Sequence, residues 1–153
     1  MEKLPPLQKF YEAYSAIADD RFDLAPQQLT VRSSDGTKEY TVTWDDEGHY
    51  RSNDNATYWQ GYAGYPVLVA LLLQGRLPLD EEVATWFVDV PWKQLNEAHK
   101  RDYDAALEEA FDLKGLDMAQ RLQAEAAADA DQEALAELAV AVGRLSEPVR
   151  KLG

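Results

Sequence analysis

The sequence predicts an α+β fold in which a small antiparallel β-hairpin or three-stranded meander packs against a mostly helical body with a central apolar helix. Three stretches carry that expectation. Residues 29–44 alternate apolar and polar side chains about a polar turn, residues 67–73 are apolar without interruption, and residues 92–113 repeat apolar side chains at helical spacing. The whole chain, 1–153, reads as one α+β domain, with a helical C-terminal region from about 116. At 153 residues, 46% of them hydrophobic, it can bury roughly two-thirds of its unfolded surface.

Pro5 and Pro6 suit a helix start, and Leu7, Phe10, Tyr14 and Ile17 then fall on one face of a helix ending near Asp19 or Arg21, with Gln8, Lys9, Glu12 and Ser15 away from it. Phe22 and Leu24 lead into Ala25-Pro26, where the chain is expected to break. Leu29, Val31, Tyr40, Val42 and Trp44 form one apolar face of a hairpin whose turn is Ser33-Ser34-Asp35-Gly36. A second turn, Asp45-Asp46-Glu47-Gly48, leads to His49–Ser52 as a third antiparallel strand. So small a sheet needs a cover, and the apolar 66–74 helix is the expected one.

Thr57 with Gln60 fits a capping box for a short helix or turn from Tyr58 to Ala63. Gly64-Tyr65-Pro66 interrupts it and Pro66 opens the apolar helix, which Gly75 closes. Asp80 caps a helix with Val83, Phe87 and Val90 inward. Beyond Pro91, Trp92, Leu95, His99, Tyr103, Ala106, Leu107, Ala110 and Phe111 make an apolar stripe on a helix reaching about Leu113. After Gly115 an alanine-rich helical region is expected from Leu116 to about Ser146. Asp131 offers a cap that would divide it in two, and Glu147-Pro148 ends it ahead of frayed final residues.

Fifteen basic residues against 28 acidic ones give a net charge of −13. Such a surface repels phosphate backbones and anionic lipids, so nucleic acid and membranes are not expected partners. Cysteine is absent, which removes disulfides, thiolate metal sites and thiol nucleophiles. No apolar segment follows a basic one at the N-terminus, and the 67–73 run falls far short of the roughly 20 residues of a membrane span. A cytoplasmic location is expected. The motifs G-x-x-x-x-G-K-[ST], G-x-G-x-x-G, H-E-x-x-H and G-x-S-x-G are all missing, and neither a cofactor nor a metal is expected.

Three constellations remain. Asp45, Asp46, Glu47, His49 and Asp54 crowd the second turn, without EF-hand spacing, and read as a solvated turn. His99 stands four residues before Tyr103, which makes the two neighbours on the helix, and with Asn96 one turn earlier and Asp102 or Lys100 at the edge they could form a polar pocket around a tunable proton carrier. Tyr58, Tyr62 and Tyr65, with Trp59 alongside, line one side of a helical piece and could stack a flat ligand. The candidate ligand-binding residues are therefore Trp44, Tyr58, Tyr62, Tyr65, His99 and Tyr103; catalytic residues are not identified. The leading functional expectation is a non-catalytic protein-interaction or structural module that binds a protein partner or itself. The alternative is a small-molecule-binding protein or simple enzyme using the aromatic/His pocket, and a weaker one an acidic inhibitor or immunity-type protein for a basic partner.

Overall fold

A helix without a polar face has to be covered on every side, and the chain supplies that cover from a sheet and from other helices. The computed structural model describes Met1 and residues 3–153. In chain order they form α1 (Gln8–Ala18), β1 (Phe22–Ala25), β2 (Gln28–Arg32), β3 (Lys38–Trp44), β4 (His49–Ser52), a π-helical turn (Ala56–Gln60), α2 (Tyr65–Leu73), α3 (Glu81–Thr85), α4 (Trp92–Ala98), α5 (Tyr103–Leu113), α6 (Met118–Glu137), β5 (Ala141–Arg144) and β6 (Arg150–Lys151). This is the expected α+β class with the expected central helix. Pro66 to Leu72 are all buried, and α2 packs against α1 on one side and β2, β3 and β4 on the other.

The strands run β1-β2-β3-β4-β5, antiparallel except for the parallel β4–β5 pair. The hairpin register sets Leu29 opposite Val42 and Val31 opposite Tyr40, and the expected third strand sets Tyr50 opposite Trp44. Leu29, Val31, Val42 and Tyr50 are buried on this face. Asp80 caps α3 as expected, accepting from the Val83 amide at 3.1 Å.

Four parts of the chain depart from the sequence reading. The chain does break after Ala25, but Phe22–Ala25 before it is an unforeseen strand paired with β2, and Pro26-Gln27 is the two-residue turn between them, with Gln27 at φ +58°. Proline fits the turn because no ladder bond is asked of its nitrogen there. The capping box at Thr57 is replaced by a different lock. The Asp54 carboxylate accepts from the Ser52 hydroxyl and, at 3.1 Å, from the Thr57 amide, while the buried Thr57 hydroxyl accepts from the Gly64 amide at 2.9 Å.

The helix expected over 92–113 is two helices. The Arg101 amide closes α4 onto the Asn96 carbonyl at 2.9 Å, and the Asp102 side chain caps α5 by accepting from the Ala105 amide at 3.2 Å. Between them Lys100 and Arg101 stand in the left-handed region at φ +52° and +66°. For side chains with a Cβ that costs about 1–2 kcal/mol per residue.

The C-terminal region is one helix followed by strands, and neither two helices nor a single helix to 146. Asp131 lies inside α6, buried and hydrogen-bonded by the Tyr14 hydroxyl, so it caps nothing. Ala124 and Ala128 are fully buried, and these small side chains let α6 lie close against α1 and α3. Past Glu137 the open edge of β4 wins the chain over: the Ala141 and Leu145 amides donate to the Gly48 and Ser52 carbonyls at 3.0 Å each. β6 then pairs with Lys38 and Glu39, so the final residues are not frayed.

Burial lifts the Asp131 carboxyl from its usual value to about 6, against the opposing pull of the Tyr14 hydrogen bond. Its other oxygen has no hydrogen-bond partner among the described residues. Unfolded, an aspartate titrates near 3.9, so between about pH 4 and pH 6 the folded chain keeps a proton that the unfolded chain has released. Stability therefore falls as pH rises through that window, by up to roughly 3 kcal/mol at about 1.36 kcal/mol per unit, and stays at the lower level above it. Asp131→Asn, whose amide oxygen still accepts from Tyr14, is expected to lose this slope and to be at least as stable as the parent at pH 7; urea midpoints from pH 4 to 7 read both.

A Cβ on Gly64 would sit 1.9 Å from one Asp54 carboxylate oxygen. That carboxylate is fixed by Ser52 and Thr57, so Gly64→Ala is expected to cost about 1–3 kcal/mol as overpacking, read as a lower urea midpoint with unchanged slope.

Candidate functional site

α1 contributes unusual residues to the interior. Every residue from Gln8 to Ala16 is buried, including Gln8, Lys9, Glu12 and Ser15. Buried polar groups must find partners, and α4 supplies several. The Gln8 amide donates to Asn96 Oδ1 at 2.7 Å, the Asn96 amide donates to Glu12 Oε1 at 3.2 Å, and the Trp92 indole donates to Ser15 Oγ at 2.8 Å. Lys9 Nζ lies 3.1 Å from Glu12 Oε2 and 4.4 Å from the Tyr103 ring centre. Burial acts to lower the Lys9 pKa, but the Glu12 carboxylate and Tyr103 outweigh it and leave it raised. Glu12 is engaged at both oxygens, Oε1 by the Asn96 amide and Oε2 by the Lys9 ammonium.

This polar group lies beneath a cleft of about 840 Å³. Lys9, Glu12, Trp92 and Asn96 line its helical side, Ser33, Lys38 and Tyr40 its sheet side, and Asp54, Trp59, Tyr62 and Tyr65 come from the segment that runs from the end of β4 through the π-helical turn to the first residue of α2. Lys93, Glu97, Lys100, Arg101 and Tyr103 line it from α4, α5 and the break between them, and Arg21 from the link between α1 and β1. Trp59 is 68% exposed, a large flat surface in water. Tyr62 is buried except for 8%, and burial raises its phenol pKa, with Lys9 opposing. Burial likewise takes Tyr40 up to about 12, and Tyr65, edge-on to Tyr40 at 6.2 Å, above the usual range.

Of the residues expected from sequence, Tyr62, Tyr65 and Tyr103 meet in this cleft; Trp44, Tyr58 and His99 do not line it. Trp44 stacks on Tyr50 at 5.9 Å, and the Tyr50 hydroxyl donates to Gln74. Tyr58 lies under the Arg144 guanidinium at 4.9 Å, while Arg144 Nε donates to the Tyr58 carbonyl. His99 ends α4 and its Nε2 lies 2.9 Å from Glu109 Oε1. The chain reverses between His99 and Tyr103, so the one-turn neighbourhood of a continuous helix is lost.

Sequence reasoning missed Lys9, Glu12, Lys38 and Arg101 as cleft residues, while Asn96, expected in a polar pocket with Tyr103, does line the cleft. The first two occupy the polar side of an amphipathic helix, and only a second covering layer makes them interior. The adjacent cations Lys100-Arg101 were visible as a pair, but on a helix they would belong to the solvated flank.

The acidic second turn is spent on its own geometry. Asp45 accepts from the Glu47 and His49 amides at 2.9 and 3.0 Å, and His49 Nδ1 lies 2.8 Å from its other oxygen. These bonds, the His49 amide first, hold the Asp45 carboxyl below its ordinary value. Asp45, Glu47 and His49 could present three ligand atoms within 4.8 Å of one another, but all three are exposed. Among the described residues no helix is long and apolar enough to cross a membrane.

No curated protein and no solved structure matches the chain. The family described as Uncharacterised conserved protein UCP014422 matches residues 2–141. That span takes in every residue lining the cleft and nearly the whole chain, and the protein therefore belongs to this family.

Proposed function

We propose that this chain is a small-molecule-binding protein that holds a flat-ringed ligand in the cleft between α1, the sheet and the α4–α5 break. One observation carries the reading: an exposed Trp59 lines a cleft of about 840 Å³ that also holds the buried, ion-paired Lys9 and Glu12. The volume lies in the usual range for small-ligand sites. Trp59 offers an exposed ring for stacking, with Tyr62 and Tyr103 beside it in the lining and the Lys9–Glu12 pair as polar groups on the helical side. The π-helical turn carrying Trp59 is itself a form of backbone that recurs at functional sites.

The self-association reading has its own support in Leu113, Met118 and Leu122, which are 58%, 69% and 58% exposed near the α5–α6 junction. Sedimentation velocity separates it: a dimer dispersed by Met118→Lys favours that surface, and a monomer at all concentrations removes it.

A thermal-shift panel of ring-bearing metabolites tests the cleft. A ligand at about a hundred times its Kd adds roughly 2.7 kcal/mol, several degrees in a domain of this size. The shift is expected to shrink in Trp59→Ala, whose parent side chain faces water, and to survive in His99→Ala. Hits indifferent to Trp59→Ala and Tyr103→Ala overturn the reading.

A further inference from the structure

The chain is acidic overall, with 15 basic residues against 28 acidic ones, yet the cleft inverts that balance. Six cations line it, Lys9, Arg21, Lys38, Lys93, Lys100 and Arg101, against only three carboxylates, Glu12, Asp54 and Glu97. Three of the six are answered within the protein: Lys9 by Glu12 at 3.1 Å, Arg21 by Asp19 at 3.1 Å and Lys93 by Asp35 at 3.0 Å. Among the described residues Lys38, Lys100 and Arg101 make no ion pair.

From this placement we infer that the ligand of the cleft is an anion, a ring-bearing small molecule whose phosphate or carboxylate group is held by Lys38, Lys100 and Arg101. The inference rests on the cleft being a ligand site and adds the charge of what it takes.

Two further features support it. Lys100 and Arg101 both sit at positive φ, where glycine would be unstrained. Strained backbone persists where the surrounding structure enforces it, and it concentrates at binding sites. Here the two residues that carry it, Lys100 and Arg101, both line the cleft. Cations also suit the C-terminal end of a helix such as α4, but Lys38 comes from β3, and a helix dipole does not account for it. A guanidinium and two ammonium groups from two separate elements match an oxyanion, which Arg can grip with two parallel hydrogen bonds. The acidic remainder of the surface repels anions at long range, so affinity for one must come from this local reversal of sign.

The test compares probes that differ only in the charged group: adenosine 5′-monophosphate with adenosine, and benzoate with benzamide, with pyrophosphate as a ringless control at matched ionic strength. Binding is followed by calorimetry. One anionic member is expected to bind at least tenfold more tightly than its neutral twin, and which pair responds tells phosphate from carboxylate. Lys38→Gln and Arg101→Gly are each expected to weaken that binding at least fivefold, while Arg51→Gln, an exposed cation on β4 outside the cleft, leaves it unchanged. Arg101→Gly relieves the left-handed backbone, so its Tm is expected to rise, and lost binding in that variant is not lost folding. Neutral twins that bind as well as the anions and fall with Trp59→Ala overturn the anion and leave the cleft standing. Binding indifferent to Lys38→Gln, Arg101→Gly and Trp59→Ala overturns both, and no binding by any charged probe overturns the anion.

Discussion

The structure depends on enclosing α2. A helix whose residues 66–72 are all buried has no side to give to water, so it needs two covering layers at once. The sheet provides one through the face that carries Leu29, Val31 and Val42, and α1 provides the other. Covering α2 pulls α1 itself inside, because α3, α5 and α6 close over its outer side. That second enclosure buries side chains that an ordinary amphipathic helix would leave in water. The polar cluster of Gln8, Lys9, Glu12, Ser15, Trp92 and Asn96 follows from it, since each buried donor or acceptor must find a partner or remain a cost.

The same logic places the cleft. Where α4 ends, Asn96 and Trp92 are already tied to α1, and the chain must turn to bring Ala106, Ala110 and Phe111 of α5 into the core. A straight helix could not satisfy both ends, so the break falls at His99–Asp102, sealed by backbone hydrogen bonds and by the Asp102 cap. Its left-handed residues add two cations to a cleft already lined by Lys9 and Lys93. The local positive charge is thus a product of chain reversal and not of composition.

The sheet solves a different problem. β4 would present an open edge, a hazard in any sheet, and β5 covers it in parallel while β6 continues beside the first residues of β3. Arg144 of β5 also reaches the π-helical turn through the Tyr58 carbonyl and ring. The C-terminal strands therefore support the segment that carries Trp59. Asp54 does the same from within, joining the end of β4 to Thr57 and leaving no room for a side chain at position 64.

Short-range patterns determined what local physics can decide. The alternation around Ser33–Gly36 set the hairpin and its buried face, the uninterrupted run at 67–73 set the central helix, and Pro66 and Asp80 set helix starts. Meeting points between segments distant in the sequence were beyond such patterns. A 3.6-residue period is blind to a reversal that conserves the stripe, so His99 and Tyr103 read as neighbours when the chain turns between them. After Glu137 alanines that favour helix alternate with valines that favour strand, and the open edge of β4 made the choice. Lys9 and Glu12 looked solvated because nothing near them in sequence says that a second layer covers α1. Tyr62, Tyr65 and Tyr103 were legible as aromatic candidates from spacing alone. Their convergence with Lys38, Lys100 and Arg101 was decided only by tertiary structure, because burial and charge segregation arise from contacts between elements that local sequence does not encode.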